Sequence, residues 1–157
     1  RLSLPLPAIL DFAPRGARHA MADSSKRPAP SRFDRECERL AKSMPKPPIM
    51  ALEPASGSLR AELAGPDASP FSGARFGVEL SASEDYPFKP PGVRFSSPER
   101  IYHPNVDRKT GGVCMDILND ATLWSPALGV ENLLVSMTSL LAEPRVEHGL
   151  NGDALLL

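Results

Sequence analysis

The sequence is poor in cysteine and aromatic residues, has no long apolar run and carries no excess of charge. Two cysteines among 157 residues are too few for the disulfide framework of a small secreted domain, and they favour a reducing compartment such as the cytoplasm or nucleus. No run reaches the roughly 18–20 apolar residues of a membrane-spanning helix. A formal net charge of −1 argues against a protein that binds nucleic-acid phosphates. The length fits one domain.

The N-terminal region differs in composition from the rest of the chain. Residues 1–20 mix apolar residues, proline and arginine without the regular pattern of a secretory signal. Met21 then opens a polar, proline-containing stretch. We therefore expect residues 1–30 to be a disordered or non-native extension, and residues 31–157 to form the folded core.

Hydrophobic periodicity predicts the order of the secondary-structure elements. Ser31 and Asp34 form a capping-box pattern before apolar residues at helical spacing, so a first helix is predicted that ends before Pro45. Short extended runs at 49–53, 59–64, 74–80 and 93–95 follow with turn residues between them, which predicts a four-stranded antiparallel meander. Residues 97–129 lack clear periodicity, and a second helix is predicted at about 130–142.

The two cysteines have different surroundings. Cys37 lies on the apolar face of the first predicted helix, where a cysteine acts as a small buried hydrophobe. Cys114 follows two glycines in the long irregular segment, where the backbone can approach another group closely. An accessible thiol there suits acyl transfer, because a thioester sulfur leaves more easily than an amide nitrogen.

Other chemistries fit the sequence less well. No CxxC or HxxxH pair is present, so no metal site is expected. A cysteine hydrolase needs a histidine base beside the thiol, which the sequence alone does not place. No glycine loop of the Walker type appears, so direct nucleotide chemistry is not supported.

Four segments in succession resemble the signatures of the ubiquitin-conjugating (E2) catalytic domain. They are YPFKPPGVRF at 86–95, IYHPNV at 101–106, TGGVCMDIL at 110–118 and WSPAL at 124–128. The resemblance covers about residues 31–157, with a faint similarity to the peroxisome-associated members. It implies an α/β fold with a first helix, a four-stranded antiparallel sheet, a long active-site loop and a central helix.

The resemblance also implies an activity and a set of partners. An activating enzyme (E1), which uses the ATP, would transfer ubiquitin or a similar protein to Cys114, so this chain needs no cofactor. The thioester would then pass to a lysine amine of a substrate protein or to a cysteine of a ligase (E3). We expect a monomer that binds neither nucleic acid nor membrane.

Residue roles follow from the matched motifs. Cys114 is the thiol that accepts and donates the acyl group. Asn105 matches the family asparagine, whose amide either stabilises an oxyanion or braces the active-site loop. His103, Pro104 and Tyr86 are expected to support that loop rather than to react.

Two partner surfaces are implied as well. Phe95 and the turn formed by Trp124, Ser125, Pro126 and Ala127 resemble loops that bind ligases, and an exposed aromatic side chain beside proline makes a plausible anchor. Core packing is the alternative for Trp124. Arg32 and Arg35 resemble the basic helix face that E1 and E3 share, and a solvated helix face is their alternative.

The chain departs from the family pattern in three places. A small insertion within residues 119–123 separates Cys114 from Trp124. His148 stands where many members carry an acidic residue or serine near the cysteine, which predicts a preference for a cysteine over a free lysine acceptor. Glu147 is the neighbouring alternative. Family members usually continue with two more C-terminal helices, so the catalytic core is expected to be incomplete after Leu157.

Three functions remain open from the sequence. A transferase fits best, because the cysteine and the HPN motif are both present. A non-catalytic interaction module of the same fold is the second, and a cysteine hydrolase is the third. A conjugating enzyme for another ubiquitin-like protein is a variant of the first.

Overall fold

The computed structural model describes residues 29–43, 46–120, 122–145, 147 and 149–156. Residues 155 and 156 are described by their backbone alone. The helices are α1 (Arg32–Ser43), α2 (Asp116–Asn119) and α3 (Gly129–Ala142), and the strands are β1 (Ile49–Ala55), β2 (Ser58–Ala64), β3 (Arg75–Ser81) and β4 (Gly92–Phe95). Short 3-10 helices span Pro98–Arg100 and Gly152–Leu156.

Helix α1 begins at a capping box. The Ser31 backbone N–H donates to the Asp34 carboxylate at 2.9 Å, and the Asp34 N–H donates to the Ser31 hydroxyl at 3.1 Å. These bonds satisfy backbone donors that the first turn of a helix leaves without partners. Phe33, Cys37 and Leu40 share the buried face of the helix. The predicted start and amphipathic character of α1 are confirmed.

The four strands form one antiparallel sheet in the order β1-β2-β3-β4, as predicted. Its inner face follows the alternation of side chains along each strand, with Leu59, Ala61 and Leu63 of β2 buried. Val78 of β3 continues this apolar face. Helices α1 and α3 contact both each other and this sheet, so a single core lies between the helices and the strands.

The outer face of the sheet is charged. Glu79 of β3 lies between Arg60 of β2 and Arg94 of β4, at 3.6 Å and 2.5 Å. Arg75 and Glu62 form a further cross-strand pair at 2.6 Å. Exposed pairs of this kind contribute little stability each, about 0–1 kcal/mol. Their presence shows which face of the sheet meets solvent.

The long segment between β4 and α3 is less irregular than the sequence predicted. It contains α2, whose four residues are too few to give a periodic signal. Val106 and Val113 form an isolated antiparallel bridge, so the segment doubles back before Cys114.

Two expectations concern regions that the structure describes in part. The predicted N-terminal extension lies almost wholly outside the described residues. Within the described part of the chain, no helix is long and apolar enough to cross a membrane.

The cap of α1 gives a test of how this helix is held. The Asp34 carboxylate also accepts a hydrogen bond from the Gly57 N–H at 2.7 Å, and this bond and the Ser31 amide hold the pKa of Asp34 below its ordinary value of 3.8. We expect Asp34→Ala to lower the free energy of unfolding at neutral pH by about 1 kcal/mol. The measurement is urea unfolding followed by circular dichroism.

The pH dependence follows from the direction of that shift. A carboxyl group with a lowered folded-state pKa stabilises the fold above its ordinary pKa and loses that contribution as the pH falls. The difference between wild type and Asp34→Ala is therefore expected to shrink between about pH 5 and about pH 2. Glu38→Ala, which removes an exposed carboxylate from the same helix, is measured in parallel as the control. A difference of constant size across this range would contradict the assignment.

Candidate active site

Cys114 lies two residues before the start of α2, after the segment that doubles back at Val106 and Val113. Its backbone N–H donates to the Asn105 carbonyl at 2.9 Å, and its side chain is partly exposed. The side-chain amide of Asn119, at the last position of α2, donates to the Cys114 sulfur at 3.1 Å. The thiol is therefore reachable from solvent while its backbone is fixed.

Gly111 fixes the cysteine segment against the sheet. Its carbonyl accepts a hydrogen bond from the Phe95 N–H at 2.9 Å, and its φ of +75° is one that L side chains rarely adopt. A Cβ at this position would lie 2.2 Å from the Phe95 carbonyl oxygen. The close backbone approach predicted for the glycine pair before Cys114 is therefore present at Gly111.

The side chain of Asn105 is fully buried, and its amide is hydrogen-bonded. Its Nδ2 donates to the Arg145 carbonyl at 2.7 Å, and its Oδ1 accepts from the Arg145 N–H at 2.8 Å. Both amide functions thus join the active-site segment to the chain that follows α3. This geometry favours the bracing role over the oxyanion role, the two alternatives that the sequence left open.

His103 and Pro104 complete this turn. The buried His103 ring accepts the Asn105 N–H at Nδ1 (3.1 Å), which leaves Nε2 to donate to the Leu140 carbonyl of α3 at 2.9 Å. Burial lowers the pKa of His103, so the ring is neutral near pH 7. The Pro104 carbonyl accepts the N–H groups of Leu150 and Asn151. A neutral ring with both nitrogens hydrogen-bonded does not suit a general base. The contacts of His103 and Pro104 fit their predicted role in supporting the loop.

A second group of predicted residues meets on α1, around the carboxylate of Glu36. That carboxylate accepts hydrogen bonds from the Tyr86 hydroxyl at 2.5 Å and the Arg32 Nε at 2.8 Å. Burial would raise the pKa of Glu36, but these bonds outweigh it and hold the pKa below its ordinary value. Arg32 also donates to the Pro126 carbonyl at 2.6 Å. Glu36 therefore links α1 to two loops, and sequence reasoning missed it.

Tyr86 was predicted to support the active-site loop, but its ring lies between α1 and the turn that carries Trp124. Its ring packs edge-on against Phe33 at 5.4 Å and lies 6.3 Å from Trp124, between ring centroids. Burial and the neighbouring Glu36 raise the pKa of Tyr86, so the hydroxyl stays protonated and donates. Tyr86 thus braces α1 and the Trp124 turn rather than the segment around Cys114.

Phe95 and Trp124 are both buried, so the structure supports the core-packing alternative for Trp124, and a ligase contact at either residue stays a prediction. Phe95 is 1% exposed because alternation along β4 turns it into the core. Trp124 is 6% exposed and donates its indole N–H to the Pro87 carbonyl at 2.8 Å. Among the described residues, the most exposed aromatic side chain is Phe88, at 80%, one residue beyond that carbonyl. Phe88 lies in a polar, proline-rich stretch, and that position in the sequence could have indicated its exposure.

The remaining predicted partner residues keep some access to solvent. Ser125 and Ala127 are exposed and Pro126 is partly so, in a turn closed by the Leu128 N–H donating to the Ser125 carbonyl at 2.9 Å. Arg35 is exposed and donates to the Pro30 carbonyl at 3.2 Å.

His148 and Glu147 are the residues predicted to influence whether a lysine or a cysteine accepts ubiquitin. His148 lies outside the described residues, so its distance from Cys114 is not part of the structure. Its neighbour Glu147 is exposed.

The other cysteine is unsuited to chemistry. Cys37 is fully buried, and burial together with the charges of Asp34 and Glu36 raises the pKa of its thiol to about 12. Within the described ranges, no three His, Cys, Asp or Glu side chains are grouped so as to hold a metal ion. Of the two thiols, Cys114 is the one available for reaction.

Fold and site together define an α/β domain with one accessible thiol on a long, hydrogen-bonded segment. A family model described as ubiquitin-conjugating enzyme matches residues 32–157. The chain is 43% identical over 127 residues to ubiquitin-conjugating enzyme E2 N of Macaca fascicularis, which covers 79% of each protein. It is 42% identical over 127 residues to ubiquitin-conjugating enzyme E2 13 of Saccharomyces cerevisiae, over 79% of this chain and 78% of that protein.

A solved structure described as a novel ubiquitin-conjugating enzyme gives a TM-score of 0.69 at 26% identity, over 79% of this chain and 80% of that one. The chain belongs to the ubiquitin-conjugating enzyme family and is a ubiquitin transferase. Family membership brings ubiquitin, an activating enzyme and a ligase as partners in general.

Gly111 provides a test of the loop attachment with a matched control. Gly73 has a φ of +76°, close to that of Gly111, but no atom lies within 4 Å of the position that its Cβ would take. We expect Gly73→Ala to lower the free energy of unfolding by about 1–2 kcal/mol through backbone strain alone. Gly111→Ala should lower it by roughly 1–3 kcal/mol more, because the methyl group meets the Phe95 backbone. Equal losses in urea unfolding would contradict the docking of this loop.

Proposed function

We propose that Cys114 carries ubiquitin as a thioester between an activating enzyme and a final acceptor. The observation that carries this proposal is the contrast between the two thiols: Cys114 is partly exposed on a fixed segment, whereas Cys37 is sealed in the core. The Cys114 thiolate attacks the thioester carbonyl of the charged activating enzyme. A new C–S bond forms, the old one breaks, and the thiolate of the activating enzyme leaves.

The second transfer reverses the role of the sulfur. A lysine amine or a ligase cysteine attacks the carbonyl carbon, the C–S bond to Cys114 breaks and its thiolate is released. An attacking amine loses its extra proton to solvent. ATP is consumed by the activating enzyme, so we propose no cofactor for this chain.

The active-site segment contributes mainly by holding Cys114 in place. Asn105 has both side-chain amide functions bound to Arg145, and His103 is neutral and bonded to α3. We assign both residues to positioning rather than to acid–base chemistry. A thiol held in one geometry needs less reorganisation when two proteins are aligned for attack.

We propose a ligase-binding surface made of Phe88 and the turn at residues 125–127. An aromatic side chain that is 80% exposed is unusual on a soluble surface, and such side chains often anchor interfaces. The bond from the Trp124 indole to the Pro87 carbonyl holds Phe88 beside this turn. Arg32, through the Pro126 carbonyl, joins the turn to α1.

The acceptor preference and the location of the protein remain predictions. His148 predicts transfer to a ligase cysteine in preference to free lysine, and cysteine usage predicts a cytoplasmic or nuclear location. No described contact favours an interaction module without catalysis, or a hydrolase, over the transferase.

The thioester is tested by incubation with activating enzyme, ATP and ubiquitin. Wild type is expected to give an adduct that a thiol reductant removes. Cys114→Ala should give none, and Cys114→Ser should give an ester that resists the reductant, because oxygen replaces sulfur. Cys37→Ser, in the core, is the control for the other thiol and should still form the reducible adduct. An adduct that persists in Cys114→Ala would refute the assignment.

The ligase surface is tested by separating charging from discharge. Phe88→Ala should leave the reducible adduct intact while lowering ligase-stimulated discharge by about tenfold, since a buried aromatic anchor is often worth about 1–2 kcal/mol or more. Leu150→Ala removes another exposed apolar side chain and serves as the control. Full ligase stimulation of Phe88→Ala across a panel of ligases would remove Phe88 from this surface.

A further inference from the structure

Asn119 places its side-chain amide against the reactive sulfur of Cys114. Its Nδ2 lies 3.1 Å from the Cys114 sulfur, within the range of a hydrogen bond to sulfur. Asn105, the residue that the HPN motif singles out, reaches Cys114 through its backbone carbonyl, while its side chain is committed to Arg145. The amide that faces the sulfur thus comes from the segment after the cysteine.

Local structure holds Asn119 in this position. Met115 precedes α2 in an extended conformation, and the Asn119 N–H donates to the Met115 carbonyl at 3.1 Å. The single turn of α2 therefore carries Asn119 back toward Cys114. The next residue, Asp120, closes the helix by donating its N–H to the Asp116 carbonyl at 2.8 Å.

The carboxylate of Asp120 forms a local turn with Thr122. Its carboxylate accepts the Thr122 N–H at 2.8 Å and the Thr122 hydroxyl at 2.6 Å, and these bonds lower the pKa of Asp120. The insertion at 119–123 thus begins with an amide on the sulfur and a carboxylate that forms its own turn.

We propose that Asn119 is a catalytic residue that stabilises the Cys114 thiolate, an inference that rests on the thioester function proposed above. A negatively charged sulfur accepts an N–H hydrogen bond more strongly than a neutral thiol does, so the contact favours the thiolate. In charging, it supports the attacking sulfur. In discharge, the amine forms its bond to the carbonyl carbon, the C–S bond breaks, and the electron pair stays on a sulfur that the Asn119 amide already faces.

Three substitutions separate donation from packing. Asn119→Leu keeps the size and removes the donor, Asn119→Asp keeps the shape and replaces the donor with a negative charge, and Asn119→Gln keeps the amide. Asn119 is exposed, so each variant should fold, and urea unfolding checks this. The readout is the rate of Cys114 alkylation by iodoacetamide near neutral pH, followed by mass spectrometry, with the buried Cys37 as an internal unreactive control.

We expect alkylation of Asn119→Leu to be about three- to tenfold slower than that of wild type, the scale of one lost charge-assisted hydrogen bond at an exposed site. Asn119→Asp should be slower than Asn119→Leu, and Asn119→Gln should recover most of the rate. An unchanged rate in Asn119→Leu overturns the proposal. So does equal slowing in the Leu and Gln variants, or a faster Asp variant, because neither pattern follows amide donation.

Single-turnover discharge of the Cys114–ubiquitin thioester to free amine gives the second readout. Asn119→Leu should slow it by a factor similar to that seen in alkylation. Alkylation needs no ubiquitin, so the two proposals can fail separately. If wild type forms no thioester, the proposed function fails while the alkylation series still tests the contact. If thioester forms and discharges equally well in all variants, only the role of Asn119 is refuted.

Discussion

The fold of the active-site region depends on one buried side chain, the amide of Asn105. It binds both the N–H and the carbonyl of Arg145, at 2.8 Å and 2.7 Å, and so joins the segment before Cys114 to the chain after α3. A long segment without regular structure must find partners for its backbone groups when it is buried. The Asn105 carbonyl accepts the Cys114 N–H, and the His103 ring bonds to the Leu140 carbonyl of α3. Holding the reactive thiol is therefore mostly a matter of backbone hydrogen bonding.

A second polar centre, the carboxylate of Glu36, joins α1 to the loops that carry Tyr86 and Pro126. Its carboxylate is mostly buried, and such a group costs free energy unless hydrogen bonds compensate it. Tyr86 and Arg32 supply those bonds, and each also contacts the turn that carries Trp124 and Pro126. The two centres have different roles. Asn105 fixes the segment that carries the Cys114 sulfur, and Glu36 holds the turn that belongs to the surface we propose for ligases.

The predicted elements were accurate where the period of the side chains was clear. Alternation along β2 and the apolar face of α1 specified their structure because burial of one face dominates the energetics of each element. The same alternation places Phe95 of β4 inside, where the motif match alone had marked it as part of a ligase-binding loop. Phe88 is the highly exposed ring, at 80%. Helix α2 was missed because one turn shows no period.

Local periodicity and motif order were enough to predict the order of elements, the difference between Cys37 and Cys114, and the family resemblance. The hydrogen-bond partner of each polar side chain became known from the folded structure. It committed the Asn105 amide to Arg145 and brought the Asn119 amide to the sulfur. Hydrogen-bond partners distant in sequence depend on how the chain doubles back, and spacing along the chain carries no record of that path.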